Sequence, residues 1–154
     1  MMTLCCDVLE ALKGKTLVTA ESCTGGGIGA ALTAVSGSSA VYKGGVISYT
    51  NEVKANILGV NEELLVQFGA VSAPVAAAMV SGVRKLLHAD VAVSVTGLAG
   101  PGGDEYGNPV GMVYIGYEDD THAFVKEFLF DGDRDLVRRQ TIENALKIIL
   151  ENNP

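Results

Sequence analysis

The chain has 154 residues, 48% of them hydrophobic, and a formal net charge of −7. Residues 1–154 therefore fit one domain that can bury a core without disulfide or metal cross-links. An acidic chain lacks the basic face that broad binding to nucleic acid or to an acidic membrane surface needs, although one or two basic side chains can still hold a single phosphate.

The first part of the chain predicts short helices and strands joined by glycine turns. In order, these are helix 2–13, strand 16–20, a glycine-rich turn over 21–27, helix 28–35, an extended segment over 40–49, and helices 52–58, 61–68 and 74–88. Gly44 and Gly45 in the extended segment indicate a bulge or a close backbone approach. We expect Asn51 and Ser72 to cap the helices that follow them.

The second part of the chain begins with the clearest buried strand, over residues 90–96. A glycine-rich loop follows, and then two strands with alternating polarity and a final helix that Asp133 caps, over 97–109, 110–117, 122–130 and 134–151. Because helices and strands are interleaved, we predict an α/β fold, a three-layer α/β/α sandwich with a mixed sheet.

Four polar segments lie at predicted strand ends or helix starts, where α/β folds usually place their sites. The first contains Ser22, Thr24, Gly25 and Gly26. Such a turn exposes backbone N–H groups at the positive end of a helix dipole, which suits an anion. It lacks the Gly-Lys-Ser/Thr ending of a P-loop, and the alternative is a tight turn whose hydroxyls cap the helix.

The second segment offers Ser39, with Tyr49 and Lys54 downstream. A serine nucleophile needs a base, and neither His88 nor His122 lies in a polar, glycine-lined segment. A lysine can serve if desolvation or a nearby positive charge lowers its pKa from about 10.4 toward about 7–8. Tyr49 can relay a proton or orient a group. Spacing alone favours the simpler interpretation, in which Ser39 caps a turn and Lys54 is solvated.

The third and fourth segments follow the buried strand and open the last helix. Thr96 offers a hydroxyl at the strand end, and Gly97 allows close approach of backbone to a ligand; the alternative is a flexible loop. Arg134, beside a helix N-terminus, can grip a phosphate or carboxylate. The alternative for Arg134 is a salt bridge to a neighbouring acid.

The three cysteines, Cys5, Cys6 and Cys23, do not suggest a disulfide framework, because their number is odd and two are adjacent. Cys23 has no evident histidine partner that would make it a thiolate nucleophile. The histidines and cysteines have no zinc-binding spacing, so no metal is expected. With no signal peptide pattern and no apolar run of roughly 18 residues, we expect a cytoplasmic protein that does not bind membranes.

Taken together, these segments resemble the C-terminal domain of the CinA family, the nicotinamide-nucleotide amidases. The matching strings are AESCTGG (20–26), GSS (37–39), GGVISYTNEVK (44–54), LGV (58–60), GAVS (69–72), TGLAGPGG (96–103), PVG (109–111) and GDR (132–134). No single string is decisive, but eight in the same order make a specific signal. Ser36 and Leu98 stand where the family often has Pro and Ile, and neither touches a polar role. The chain has no room for the N-terminal nucleotide-hydrolase domain of larger members, so we do not expect that activity.

The resemblance implies a three-layer α/β/α fold and hydrolysis of nicotinamide mononucleotide to nicotinate mononucleotide and ammonia, without metal or cofactor. It places a serine nucleophile on Ser39, its base on Lys54 and a supporting tyrosine on Tyr49. The choice between Ser39 and Ser22 as nucleophile stays open. The residues expected to bind substrate are Ser22, Thr24, Gly25, Gly26, Thr96, Gly97 and Arg134.

Two other functions fit the same glycine turns. One is a non-catalytic nucleotide-binding or sensor module, which needs no catalytic pair. The other is a different amidase or a phosphatase that acts on a similar nucleotide. Whichever function applies, we expect the binding partner to be a small pyridine mononucleotide and not a nucleic acid. The short apolar helices predict self-association into a homo-oligomer.

Overall fold

The computed structural model, which describes residues 1–154, contains six helices and five strands. The helices are α1 Met2–Ala11, α2 Gly27–Thr33, α3 Asn51–Asn56, α4 Glu62–Phe68, α5 Ala73–Leu87 and α6 Arg134–Glu151. The strands are β1 Leu17–Glu21, β2 Tyr42–Ile47, β3 Val91–Gly97, β4 Met112–Glu118 and β5 Ala123–Leu129, and a 3-10 turn, Ser38–Ala40, precedes β2. None of the helices combines the length and the apolar character that crossing a membrane requires.

The strands form one sheet in the order β2-β1-β3-β4-β5. Strand β1 pairs in parallel with both β2 and β3, whereas β4 and β5 form an antiparallel hairpin beside β3. The carboxyl ends of β1, β2 and β3 therefore meet at one edge of the sheet. In open α/β sheets this edge is where ligands bind, so the segments that follow these three strands are the first place to look for a site.

Helices cover both faces of the sheet, as predicted. Successive residues of a strand point to opposite faces: Leu17 packs in a core with α1, α2 and α6, and Val18 packs in a second core with α5. Strand β1 is buried along its whole length, which is expected for a central parallel strand with a helical layer on each side. The mixed sheet and its two layers confirm the three-layer α/β/α architecture.

One of the three predicted helix caps falls on a different residue, and a second makes no capping hydrogen bond with its side chain. Thr50, not Asn51, caps α3, because Thr50 is the residue with extended backbone and its Oγ1 accepts a hydrogen bond from the Val53 N–H at 3.3 Å. Ser72 stands at the N-cap of α5, but its hydroxyl donates to the Gly69 carbonyl at 2.8 Å. Asp133 caps α6 as predicted.

The two glycines of β2 account for both features expected of them. The register between β1 and β2 shifts at Lys43, between Tyr42 and Gly44, which makes a bulge. At Gly45 the strands approach so closely that a Cβ would lie 2.3 Å from the Thr19 Oγ1. Both strands can pair here only because this position has no side chain.

Candidate functional site

A cavity of about 460 Å³ opens at the carboxyl edge of the sheet. Its walls come from the segments that follow β1 and β2, from the end of β3 and the loop after it, from the connection between α4 and α5, and from the first residue of α6. The polar side chains in its walls include Ser22, Tyr49, Lys54, Thr96 and Arg134. With Gly97, six predicted site residues from four separate segments thus reach the same cavity.

Lys54 and Ser22 make the central contact of the cavity. Lys54 is only 1% exposed, and its Nζ donates to the Ser22 Oγ at 2.9 Å and to the Ser48 carbonyl at 2.8 Å. No carboxylate lies within ion-pair distance of this amine. Burial therefore lowers the pKa of Lys54 from 10.5 to about 8. In its neutral form the amine has a lone pair that can take the Ser22 proton.

Backbone pairing beyond the strand ends holds both segments in place. The N–H of Ser22 donates to the Val95 carbonyl of β3 at 3.0 Å, and the N–H of Ser48 donates to the Glu21 carbonyl at 2.8 Å. Lys54 follows one turn after the Thr50 cap, so the start of α3 fixes the direction of its side chain. The Ser22 hydroxyl and the Lys54 amine are therefore positioned by the sheet itself.

The predicted pairing of Ser39 with Lys54 is wrong. Ser39 lies in the 3-10 turn before β2, it is exposed, and it does not line the cavity. Lys54 lies beyond the other end of β2, and the six residues of that strand span roughly 20 Å. The strand separates the two side chains, so Ser22, the other candidate, is the serine that contacts Lys54.

Arg134 and Tyr49 meet at the rim of the cavity. Arg134 Nη2 donates to the Tyr49 hydroxyl at 3.0 Å, and Nη1 donates to the Gly100 carbonyl at 2.8 Å. Tyr49 is 57% exposed, and it reaches Lys54 through its backbone carbonyl, at 3.5 Å, rather than through its phenol. The structure therefore shows the phenol orienting the guanidinium and does not show a proton relay from Tyr49 to Lys54.

Thr96 and Gly97 line the cavity but have structural contacts of their own. The Thr96 hydroxyl is buried and donates to the Ala70 carbonyl at 2.8 Å. A Cβ at Gly97 would lie 2.6 Å from a methyl group of Val113 and 2.8 Å from the Met112 carbonyl oxygen. The glycine is therefore required by the β3–β4 pairing, whatever the loop binds.

The predicted anion site in the glycine turn is already occupied by the protein. Thr24, Gly25 and Gly26 do not line the cavity. At the start of α2, the N–H groups of Ile28 and Gly29 donate to the carboxylate of Glu21, at 2.8 and 3.0 Å. These donors are therefore not free to bind a ligand, and the prediction of an anion at this helix end is wrong.

Sequence reasoning missed the role of Glu21. Its side chain is 2% exposed, and Thr24 donates to its Oε1 at 2.6 Å. An acidic residue between a buried strand and a glycine-rich helix start is the signal that points to this arrangement, because the N–H groups of a helix N-terminus can satisfy a carboxylate buried there.

Cys23 follows Ser22 and also lines the cavity. Burial raises the pKa of its thiol from 9.0 to about 12, with smaller opposing effects from neighbouring groups. The sulfur is therefore protonated at neutral pH, in keeping with the expectation that Cys23 is not a thiolate nucleophile.

The fold and the cavity define a three-layer α/β/α protein with a buried serine–lysine contact at the carboxyl edge of its sheet. A family model described as the CinA C-terminal domain matches residues 3–152, and the chain belongs to that family. A CinA-like protein of Thermosynechococcus vestitus is 51% identical over 138 residues, which cover 88% of this chain and 33% of that protein. A CinA-like protein of Sulfurihydrogenibium is 50% identical over 135 residues, 88% of this chain and 34% of that protein. The chain thus spans about a third of the length of the curated relatives it matches.

Solved structures show the same fold over nearly their whole length. The competence damage-inducible protein A from Klebsiella pneumoniae superposes with a TM-score of 0.95 at 38% identity, over 97% of this chain and 94% of that chain. The competence/damage inducible protein CihA from Agrobacterium tumefaciens gives a TM-score of 0.92 at 38% identity, over 99% and 95% of the two chains. Both the fold and the family expected from the sequence are confirmed.

Proposed function

We propose that this protein hydrolyses the carboxamide of nicotinamide mononucleotide to nicotinate mononucleotide and ammonia, with Ser22 as the nucleophile and Lys54 as its base. The observation that carries the reaction type is the 2.9 Å contact between the Lys54 amine and the Ser22 hydroxyl in an open cavity. The choice of substrate follows from the resemblance to nicotinamide-nucleotide amidases.

The reaction begins when neutral Lys54 takes the proton of the Ser22 hydroxyl and the oxygen attacks the carboxamide carbon. Lys54 then gives that proton to the nitrogen, the C–N bond breaks, and ammonia leaves an acyl ester on Ser22. Water next attacks the ester carbon, Lys54 accepts one of its protons and passes it to the Ser22 oxygen, and the acid product loses its remaining proton to the solvent and leaves as the carboxylate. The same buried amine thus serves both half-reactions as acid and base.

The negative charge on the substrate oxygen needs hydrogen-bond donors in the cavity wall. The backbone N–H groups of Ala99 and Gly100 lie in the lining loop and donate to no protein acceptor. We assign them to the oxyanion, for which each donor is worth roughly 3–4 kcal/mol in other hydrolases.

The charge of the cavity fits an anionic substrate. The Arg134 guanidinium lines it, and no aspartate or glutamate does, although the whole chain carries a net charge of −7. Arg134 stands at the rim and already donates two hydrogen bonds that fix its orientation. A guanidinium held in this way is suited to the phosphate of a mononucleotide, and that contact orients the amide over Ser22.

The test is an assay of ammonia release by the purified protein with nicotinamide mononucleotide, its riboside and unrelated amides, together with an assay for free phosphate. We expect ammonia from the mononucleotide, no phosphate, and no ammonia with Ser22→Ala. Binding of the nucleotide without ammonia release would instead indicate the non-catalytic sensor module. Phosphate release would indicate a phosphatase.

A further inference from the structure

The turn that carries Ser22 is held from two sides. On the inner side, the Glu21 carboxylate binds the Thr24 hydroxyl at 2.6 Å and the start of α2. On the outer side, α6 supplies Arg138, whose Nε donates to the Cys23 carbonyl at 3.1 Å and whose Nη2 donates to the Thr24 carbonyl at 3.0 Å. The two residues directly after the nucleophile are therefore fixed by three side-chain hydrogen bonds.

The inner support is closely packed. Thr19 Oγ1 lies 3.2 Å from the Glu21 carboxylate and 2.8 Å from the Tyr42 hydroxyl, so a buried polar chain runs beneath the turn. A Cβ at Gly29 would lie 2.7 Å from that Tyr42 oxygen, and one at Gly45 would lie 2.3 Å from the Thr19 oxygen. The inner side of the turn therefore has little room to shift, and the outer side depends on Arg138.

Arg138 acts on the turn without touching the cavity. It is one helical turn beyond Arg134, which does line the cavity, and it is absent from the lining itself. Its two acceptors are both carbonyl oxygens, so its fork of donors fixes the orientation of two successive peptide groups. Losing these bonds removes the outer support of the two peptide groups after Ser22 and leaves Arg134, to which we assign the phosphate, unchanged.

We propose that Arg138 is a positioning residue that holds the Ser22 turn at the distance from Lys54 at which the proton can pass. This inference rests on the proposed role of Ser22 as nucleophile. A displacement of about 1 Å at a reacting centre can cost on the order of 10²-fold in rate. One helix would then anchor both the substrate, through Arg134, and the turn of the nucleophile, through Arg138.

The test compares Arg138→Ala and Arg138→Lys with Arg139→Ala. Arg139 is the matched control because it is the next arginine of α6, its side chain is exposed, and it pairs only with Asp135 on the same helix. Two quantities are measured: kcat and KM for ammonia release from nicotinamide mononucleotide, and the rate at which a fluorophosphonate probe labels Ser22, followed by intact mass.

For Arg138→Ala we expect kcat and the labelling rate to fall together, on the order of 10²-fold, with KM within about twofold of the wild type. Arg138→Lys should recover part of both rates, because an ammonium keeps the charge but lacks the rigid fork. Arg139→Ala should stay within about twofold in every measurement. If Arg138 only stabilised the fold, its loss would lower the fraction of protein that is folded and active, but Ser22 in the folded fraction would be labelled at the wild-type rate.

Wild-type labelling by folded Arg138→Ala would overturn the proposal, as would a raised KM with unchanged kcat. If Arg138→Ala does not fold, the test rests on Arg138→Lys, and a wild-type rate of Ser22 labelling in that variant would overturn the proposal. If the wild type labels at Ser22 but releases no ammonia, the proposed substrate is wrong, and a slower labelling of Arg138→Ala still supports the positioning role. Absence of labelling at Ser22 in the wild type overturns both proposals.

Discussion

The amine of Lys54 donates to the hydroxyl of Ser22 at 2.9 Å, although 32 positions separate the two residues in the chain. Its other partners are backbone carbonyls, so nothing with a negative charge compensates a proton on this buried nitrogen. A buried lysine without an acid partner is costly when charged. Burial therefore favours the neutral amine, which is the form that a serine nucleophile needs.

The first prediction separates the two serines that the sequence offered. Ser22→Ala removes the oxygen that Lys54 contacts, and we expect the rate of ammonia release to fall by at least about 10³-fold, as it does when serine hydrolases lose their nucleophile. Ser39→Ala is the matched control, because Ser39 is exposed and outside the cavity, and it should keep full activity. Full activity in Ser22→Ala, or loss in a folded Ser39→Ala, would reject the assignment.

The second prediction concerns pH. Since burial sets the pKa of Lys54 at about 8, the amine is mostly protonated below that pH and mostly neutral above it. Only the neutral form accepts the serine proton, so kcat should rise about tenfold per pH unit below 8 and level off above it. The measurement is the pH–rate profile of ammonia release at saturating substrate. A rate that falls as the pH passes upward through 8 would contradict a lysine base.

Most of the elements could be predicted because their patterns are local. The buried strand expected over 90–96 is found at Val91–Gly97, and the helix expected after Asp133 begins at Arg134, since apolar periodicity and capping residues act over a few positions. The caps of α3 and α5 were less predictable. Neighbouring polar residues compete for the cap, and backbone angles that the sequence does not show decide between them.

The sequence predicted part of the candidate site but not its pairing, since Ser39 and the residues of the glycine turn after Cys23 lie outside the cavity. Tyr49, Lys54, Thr96 and Arg134 all reach the cavity, since each follows a strand or opens a helix at the carboxyl edge of the sheet. Ser39 precedes its strand, and that position alone puts it at the opposite edge. Applying the carboxyl-edge rule strictly to each serine would therefore have favoured Ser22.

The occupied helix start of α2 shows a second limit of sequence patterns. The glycine turn does present N–H groups, as expected, but the pattern does not show whether an external anion or a residue of the chain accepts from them. Here the acceptor belongs to the chain itself: the Glu21 carboxylate accepts from the N–H groups of Ile28 and Gly29. Which acceptor wins depends on burial, and burial is a property of the packed molecule.

The third prediction concerns the rim of the cavity. Arg134→Ala removes the cation assigned to the substrate phosphate, so KM for nicotinamide mononucleotide should rise by about 10-fold to 100-fold, the usual worth of a charge-assisted contact. KM for the riboside, which has no phosphate, should change by less than about threefold. Kinetics with both substrates check this, with Arg139→Ala as the control. An equal change in the two KM values would mean that Arg134 does not bind the phosphate.

The fourth prediction concerns the strand beneath the turn. In Gly45→Ala, the new Cβ would meet the Thr19 Oγ1 at 2.3 Å and the Thr19 carbonyl oxygen at 2.7 Å. That carbonyl belongs to β1, which is paired on both sides and cannot move away cheaply, so the free energy of unfolding should fall by about 1–3 kcal/mol. Urea unfolding measures this change.

Gly102→Ala is the matched control for that measurement, since a Cβ at Gly102 would have no heavy atom within 4 Å. Its free energy of unfolding should stay within about 0.5 kcal/mol of the wild type. Equal unfolding midpoints for the two alanine variants, with equal slopes, would show that β1 and β2 can separate at Gly45. In that case the polar chain from Tyr42 to Glu21 would not be as closely confined as the contact distances imply.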